Sequence, residues 1–355
     1  MNKLIFEMAK RIENRWVMSD NDYRIFPDIA KEEMSRYELH KEFDYKDIIT
    51  FLNDSYVQNV QISSDFSDLH VKLFDNGKFY VEVLTWFDKD TAIHDHGFTG
   101  VLQQLKGVSL NAAYGFNERK IVSQNLALGN SWLCDAEILN PGDFHSIYPG
   151  REEKHAVFHI EKPTISIIVR THPITELPAQ LNYFPPFIRV NHSEAGLVFK
   201  KMINFFLNLN RYDEKSFSST LLNSMGAWSY TENFWAIVKL SRLIFTPNNI
   251  DVISAYLNSS KNDIDHEIRK EIIASATFRS YSQFITNTVK PKFNDYSVRL
   301  ALSALAACYT EEDLTLMEGK VGINIKNTIE KQVYPHISVD DENKLRRIIK
   351  SIFLD

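Results

Sequence analysis

The sequence predicts an α+β chain, with one β-barrel between a short N-terminal helical segment and an all-α C-terminal domain. Three observations predict it. From about residue 56 to 175, apolar and polar residues alternate in short runs. Turn signals punctuate those runs at Asp75-Asn76-Gly77, Gly129-Asn130, Asn140-Pro141-Gly142 and Pro149-Gly150. From about residue 190 onward the apolar residues take up helical spacing. The expected division is therefore a helical segment over 1–55, a barrel over 56–175 and a helical domain over 190–355.

The N-terminal stretch "MNKLIFEMAKRIENRW" sets Leu4, Ile5 and Met8 against Glu7, Lys10 and Arg11, the pattern of an amphipathic helix. It lacks the continuous apolar core of a signal peptide. "YKDIITFLNDS" continues the helical reading. The expected strands are "VQNVQIS", "LHVKLF", "FYVEVLTWF", "VLQQLKGVSLNAAYGF" and "ISIIVRT", and many short strands at such spacing suit a sandwich or small barrel. A proline-rich connector, "ELPAQLNYFPPFIRVNHSE", follows. Ser193-Glu194 then reads as the start of the helix "AGLVFKKMINFFLNLN", whose apolar face is expected to comprise Leu197, Val198, Met202, Phe205 and Phe206. Later helices are expected in "YTENFWAIVKLSRLIF", "IDVISAYLNSS", "HEIRKEIIASATF", "VRLALSALAACY" and "ENKLRRIIKSIFL". Aromatic residues at helical spacing, such as Phe234 and Trp235, read as packing core.

The chain has 355 residues, enough for two domains. Its net charge of −6, without a basic run carrying interleaved aromatics, argues against nucleic-acid binding. Only Cys134 and Cys308 are present, so neither a disulfide framework nor a thiolate zinc site is available. No apolar run approaches the roughly 20 residues of a membrane span. The expected compartment is the cytoplasm. The expected partners are a small-molecule substrate and O2, with no nucleic acid and no membrane, and a homodimer is one way to bury the helical faces.

Chemistry is concentrated in "WFDKDTAIHDHGFTG". On a strand, His94 and His96 share one face and Asp95 takes the other. Paired imidazoles repel when protonated, and a metal ion resolves this because each neutral ring offers it a lone pair. Downstream, "LNPGDFHSIYPGREEKHAVFHIEKP" adds His145, His155 and His159.

These residues resemble the two motifs of the cupin family. His94, His96 and Gly107 match the spacing of the first motif, with Gly100 where its glutamate ligand usually sits. Gly142, Pro149, Gly150 and His155 follow the second loosely, with a longer gap before the histidine and His159 in place of the asparagine. The run from Asn76 to Gly97 is similar to the cysteine dioxygenase (thiol dioxygenase) branch, which holds one ferrous ion on three histidines without a carboxylate. The resemblance implies a cupin-type barrel and an Fe(II) site on His94, His96 and His155, with Zn, Ni or Mn as alternative metals. His145 competes with His155 for the third place.

Departures from that branch direct attention to other side chains. Its late-strand Ser-x-His-x-Tyr run corresponds here to Ser166, Ile168 and Arg170. Its substrate arginine is replaced within "LHVKLF", where His70 and Lys72 share a face and become candidates for substrate binding. Arg170 is a candidate anion clamp, through its two-pronged guanidinium, or else a rim salt bridge. His159 reads as a donor behind the metal or as a satisfied core histidine. One of Gln103 and Gln104 must face inward, and Gln103 is the candidate. The activity these residues imply is oxidation of a small anionic metabolite by O2. A non-oxidative isomerase or lyase, and a ligand-sensing binding protein, are the rival readings.

Overall fold

The structure is a computed structural model that describes residues 2–64, 66–191, 196–246 and 248–352. Among these residues eleven strands form two sheets in which every pairing is antiparallel. In chain order the strands are β1 (Leu69–Asp75), β2 (Phe79–Trp86), β3 (Ile93–His96), β4 (Gly100–Lys106), β5 (Ser109–Ser123) and β6 (Leu126–Leu139). β7 (Phe144–Ile147), β8 (Gly150–His159), β9 (Thr164–Thr171), β10 (Leu181–Phe184) and β11 (Ile188–Asn191) complete the set. The first sheet has the order β1-β2-β9-β4-β7, and the second closes into a ring, β10-β11-β6-β5-β8-β3. Helices lie before and after this β region, so the chain is α+β with a helical C-terminal region, as the periodicity predicts.

Alternation divides each sheet into two faces. On the first sheet, Val71, Leu73, Val81, Val83, Val101, Ile165 and Val169 point outward and meet the N-terminal helices. The helix Asn2–Val17 supplies Ile5, Met8, Ala9, Ile12 and Trp16 to that layer, a stripe at the spacing of one helix face. The outer face of the second sheet, through Leu110, Ala112, Tyr114, Ala156 and Phe158, meets the C-terminal helices Tyr296–Ala307, Glu311–Val321 and Val339–Ile352. Leu126, Leu128, Phe184, Ile188 and Val190 meet the helices from Leu197–Tyr212 to Asp263–Phe284. The inner faces of the two sheets enclose a cavity.

Polar contacts reinforce the junction with the helical region. Arg299, 1% exposed, donates to the carbonyls of His159, Ile160, Lys290 and Phe293. Lys290, fully buried, pairs with Asp90 just ahead of β3. The hydroxyl of Tyr114 donates to Ala307 O at 2.8 Å.

Three expectations are corrected. "VQNVQIS" is not a strand: its start belongs to the helix Ser55–Asn59, because Asp54 caps the N–H groups of Tyr56 and Val57. The proline-rich connector contains β10 and β11, a hairpin turning at Pro185-Pro186 that closes the second sheet, so the strands run from Leu69 to Asn191. In the helix Leu197–Tyr212 the buried stripe is Phe199, Ile203 and Phe206. Leu197, Val198, Met202 and Phe205 of the expected face are exposed, because the helix presents the side bearing residues 199, 203 and 206 to its neighbours. Its expected start at Ser193-Glu194 lies outside the described residues. No helix among the described residues is long and apolar enough to cross a membrane.

Arg299→Met should lower stability by at least about 3 kcal/mol, since four carbonyls lose a donor that water cannot readily replace. The measurement is a urea midpoint. A midpoint equivalent to wild type within about 0.5 kcal/mol would mean that apolar contacts alone hold the helices to the barrel.

Candidate metal centre

β3 carries His94 and His96 between β10 and β8, with His94 opposite both Asn182 and His155. The pairing with β8 is irregular: His94 faces His155, but His96 faces Gly150. The surplus residues of β8 bulge out between these two points, which accounts for the long gap between Pro149-Gly150 and His155. Gly150 has φ +87°, a conformation that a side chain disfavours.

The bulge brings the rings of His94, His96 and His155 into a near-equilateral triangle, with centroids 4.8, 4.9 and 5.0 Å apart. All three side chains are buried, and one ring nitrogen of each lies within 4.8 Å of the others. The Nε2 atoms of His96 and His155 stand 3.3 Å apart. Two metal–nitrogen bonds of ~2.1 Å at tetrahedral to octahedral angles set nitrogens about 3.0–3.4 Å apart. Hydrogen bonds fix two of the tautomers. His94 donates from Nδ1 to Ala92 O at 2.8 Å, and His155 donates from Nδ1 to Asn111 Oδ1 at 2.7 Å, which leaves Nε2 of each as the lone-pair atom. Burial first, then repulsion among the histidines, pushes His96 and His155 well below the ordinary imidazole range. Three imidazoles turned on one point suit a divalent metal and would leave room for it to bind on the cavity side.

His145 is arranged differently. Its ring stacks on His155 at 5.3 Å, and both its nitrogens engage carboxylates, Nδ1 with Glu137 at 2.7 Å and Nε2 with Glu153 at 2.6 Å. Burial opposes its charge, but the hydrogen bonds it donates to the two carboxylates outweigh that and lift it to about 9. His145, Glu153 and His155 also lie within metal-binding reach of one another, yet an imidazolium has no lone pair to offer.

The cavity before the three histidines has a volume of about 150 Å³. Its walls include Leu84, Trp86, Phe98, Leu102, Ile147 and Ile168, and no carboxylate is among the described residues that line it. Ser166, Ile168 and Arg170 all reach it from β9, as their alternation requires. The Arg170 guanidinium lies 3.4 Å over the Phe98 ring centroid, its Nε has no partner, and Nη1 is 3.8 Å from Glu82 Oε1. His159 also lines the cavity, stacked on Trp86 at 4.6 Å, with Nδ1 on Thr164 Oγ1 and Nε2 without a partner.

Other candidates fall elsewhere. Gln104, not Gln103, faces the cavity, because β4 turns Leu102 and Gln104 inward and packs Val101 and Leu105 outward with Gln103. His70 and Lys72 do not line it: they stand on β1, at the far side of β2 from β9, and both are engaged. His70 Nε2 meets Glu82 Oε2 at 2.6 Å, and Lys72 Nζ meets Asp75 Oδ2 at 2.7 Å. Gly100 opens no space beside the three histidines. A Cβ there would lie 2.4 Å from Val169 O and 2.8 Å from Arg170 Cα, so the β9 backbone occupies the place. Sequence reasoning missed Asn111, which carries no local motif, and the partners of Asp95, which accepts from Leu181 N, from Tyr183 Oη and from Arg151.

His94→Ala, His96→Ala and His155→Ala should each abolish stoichiometric metal on elemental analysis, while His145→Ala keeps most of it. The opposite result for His145 and His155 would exchange their roles. Asn111→Ala should weaken metal binding by about 10- to 100-fold, the usual effect of losing a ligand's hydrogen-bond partner. At the end of β1, burial opposes the Asp75 charge, but Lys72 and His172 more than offset it and hold the carboxyl at about 2. Its folded value lies below the unfolded one, so its stabilisation is full above about pH 4 and lost as pH falls through 2. Asp75→Asn should flatten the acid limb of stability in that window, read by urea midpoints at stepped pH.

No family model and no curated protein matches this chain. Among solved structures it is similar to the DMSP lyase DddQ from Ruegeria pomeroyi DSS-3, at 15% identity and a TM-score of 0.23, over 36% of this chain and 59% of that one. The chain thus spans about three-fifths of that lyase. It is similar to a cupin-2 domain containing protein from Shewanella frigidimarina NCIMB 400, at 10% identity and a TM-score of 0.22, over 38% and 96%. It is also similar to hydroquinone 1,2-dioxygenase from Sphingomonas sp. TTNP3, at 9% identity and a TM-score of 0.23, over 35% and 74%.

Proposed function

We propose that the chain is a non-haem Fe(II)-dependent oxygenase of the three-histidine cupin type, acting on a small anionic metabolite with O2. The observation that carries this reading is the convergence of three buried imidazoles on one cavity in which Arg170 is the charged side chain among the described lining residues. A ferrous ion on His94, His96 and His155 would supply redox chemistry with O2 and open positions for an anionic donor.

The protein's own residues account for the rest. Arg170 presents an unpartnered Nε–H and a guanidinium seated on Phe98, whose ring also packs 4.8 Å from that of His96. A substrate carboxylate bound there is held beside the histidine cluster in two-pronged fashion. Glu82 stands behind Arg170 and is shared with His70, so it orients the guanidinium without neutralising it by close contact. None of the described lining residues is a carboxylate that would repel an anion. Its volume is on the order of one that admits benzene, which limits the substrate to a small metabolite. Leu84, Trp86, Leu102, Ile147 and Ile168 give dry walls that strengthen the charge contact. His159, pushed well below its ordinary range by burial and then by Lys290 and Arg299, is neutral and offers Nε2 as a polar contact on the wall.

Protein reconstituted with Fe(II) should consume O2 when supplied with members of a panel of small thiols and carboxylates, and protein loaded with Zn(II) should not. Equal turnover with Zn(II) under nitrogen would replace the oxygenase by a Lewis-acid isomerase or lyase. Arg170→Met should lower kcat/KM by about 10- to 100-fold through loss of a charge-assisted contact, with metal content unchanged. An unaltered kcat/KM would remove Arg170 from substrate binding.

A further inference from the structure

A second cavity, of about 50 Å³, lies between the outer face of the second sheet and the helical region. Tyr114, Phe158, Tyr183, Phe184, Phe278 and Tyr309 give it an aromatic wall. Arg279, on the helix Asp263–Phe284, lines it too, with its guanidinium 5.8 Å over the Phe184 ring. Among the described residues no carboxylate pairs with Arg279. The nearest acidic influence is Asp90, whose oxygens are committed to the His159 N–H at 2.8 Å and to Lys290.

The hydroxyls around the cavity show the same imbalance. Tyr114 donates to Ala307 O and Tyr183 to Asp95, but the Oη of Tyr309, a residue only 5% exposed, is buried without a partner. Among the described residues, the cavity thus offers a half-buried guanidinium without a carboxylate partner and a buried hydroxyl without a hydrogen-bond partner. Water would satisfy the hydroxyl but would leave the half-buried guanidinium without a counter-charge. Burial does disfavour the charge of Arg279.

We infer that this cavity is a second ligand site, built for a short aliphatic monocarboxylate. The carboxylate takes the Arg279 fork and accepts from Tyr309, and the alkyl end lies against Phe184 and Phe278. At about 10–15 Å³ per water-sized probe, the volume admits an acetate- or propionate-sized molecule and nothing as large as the barrel cavity accepts. The site backs onto the metal-bearing strand: Ile93 lines it, and Thr91 lines both cavities. Its recognition chemistry does not depend on the metal.

The test is calorimetric titration of the full chain with acetate and propionate, with acetamide as the uncharged control. Wild type should show a saturable, Arg279-dependent component of carboxylate binding and none with acetamide. Arg279→Met should weaken binding by about tenfold or more, and Tyr309→Phe, which preserves the packing, by several-fold. Arg170→Met should leave the Arg279-dependent isotherm in place, which separates this site from the barrel cavity. No saturable binding by wild type, equal binding of acetamide, or unchanged binding in Tyr309→Phe together with a folded Arg279→Met would overturn the proposal.

Discussion

Asp95 is 1% exposed, and a carboxylate so placed must find donors or unfold the segment that carries it. It finds three: the N–H of Leu181 and the hydroxyl of Tyr183, each at 2.7 Å, and the guanidinium of Arg151. The first two belong to β10 and the third to β8, the strands on either side of β3. β3 has only four residues and few ladder bonds of its own. Pinning Asp95 on the outer face therefore determines that His94 and His96 face the cavity, since neighbours on a strand alternate. The same contacts draw the β10–β11 hairpin against β3 and close the second sheet. One buried charge thus fixes both the closure of the ring and the direction of two of the three histidines.

What the sequence makes legible follows from local periodicity. The His-x-His face, the inward set Ser166, Ile168 and Arg170, the amphipathic first helix and most later helices need only a strand or helix period to be read. The hidden features depend on distant partners. β10 and β11 lie in a segment whose prolines read as a linker, and they are strands because β3 and β6 accept them. Asn111 sits 44 positions from His155 and has no motif of its own. Gln103 and Gln104 are adjacent, so an alternating pattern allows either, and the packing of Val101 and Leu105 on the N-terminal helices decides it. His70 and Lys72 show the complementary error: their shared face is correct, but Glu82 and Asp75, each on the same or the next strand, engage them first.

Arg170 and Arg279 invite comparison because both are cations set among aromatic rings without a close carboxylate. Arg170 keeps Glu82 at 3.8 Å, near enough to orient it and too far for a tight pair. Arg279 has only the distant field of Asp90, which Lys290 already neutralises. A cation whose neighbours are chosen to leave it incompletely paired retains its attraction for an anion from outside, whereas the tight pairs Lys72–Asp75 and Arg269–Asp265 do not.

The helical region is joined to this arrangement at the backbone of the sheet that carries the three histidines. Arg299 holds the carbonyls of His159 and Ile160 at the end of β8, and Lys290 holds Asp90 in the lead-in to β3. Asp90 in turn accepts from the N–H of His159, and Thr91 accepts from Val157, so the lead-in to β3 and the end of β8 are tied to each other. His155 lies four residues before His159 on β8, and His94 lies four residues after Asp90. Displacing the helices would free both ends of the pair that brings these two histidines opposite each other. The three-histidine geometry is therefore a property of the barrel and the helices together, and a barrel excised from the helical region would lose more than a covering for its apolar outer face.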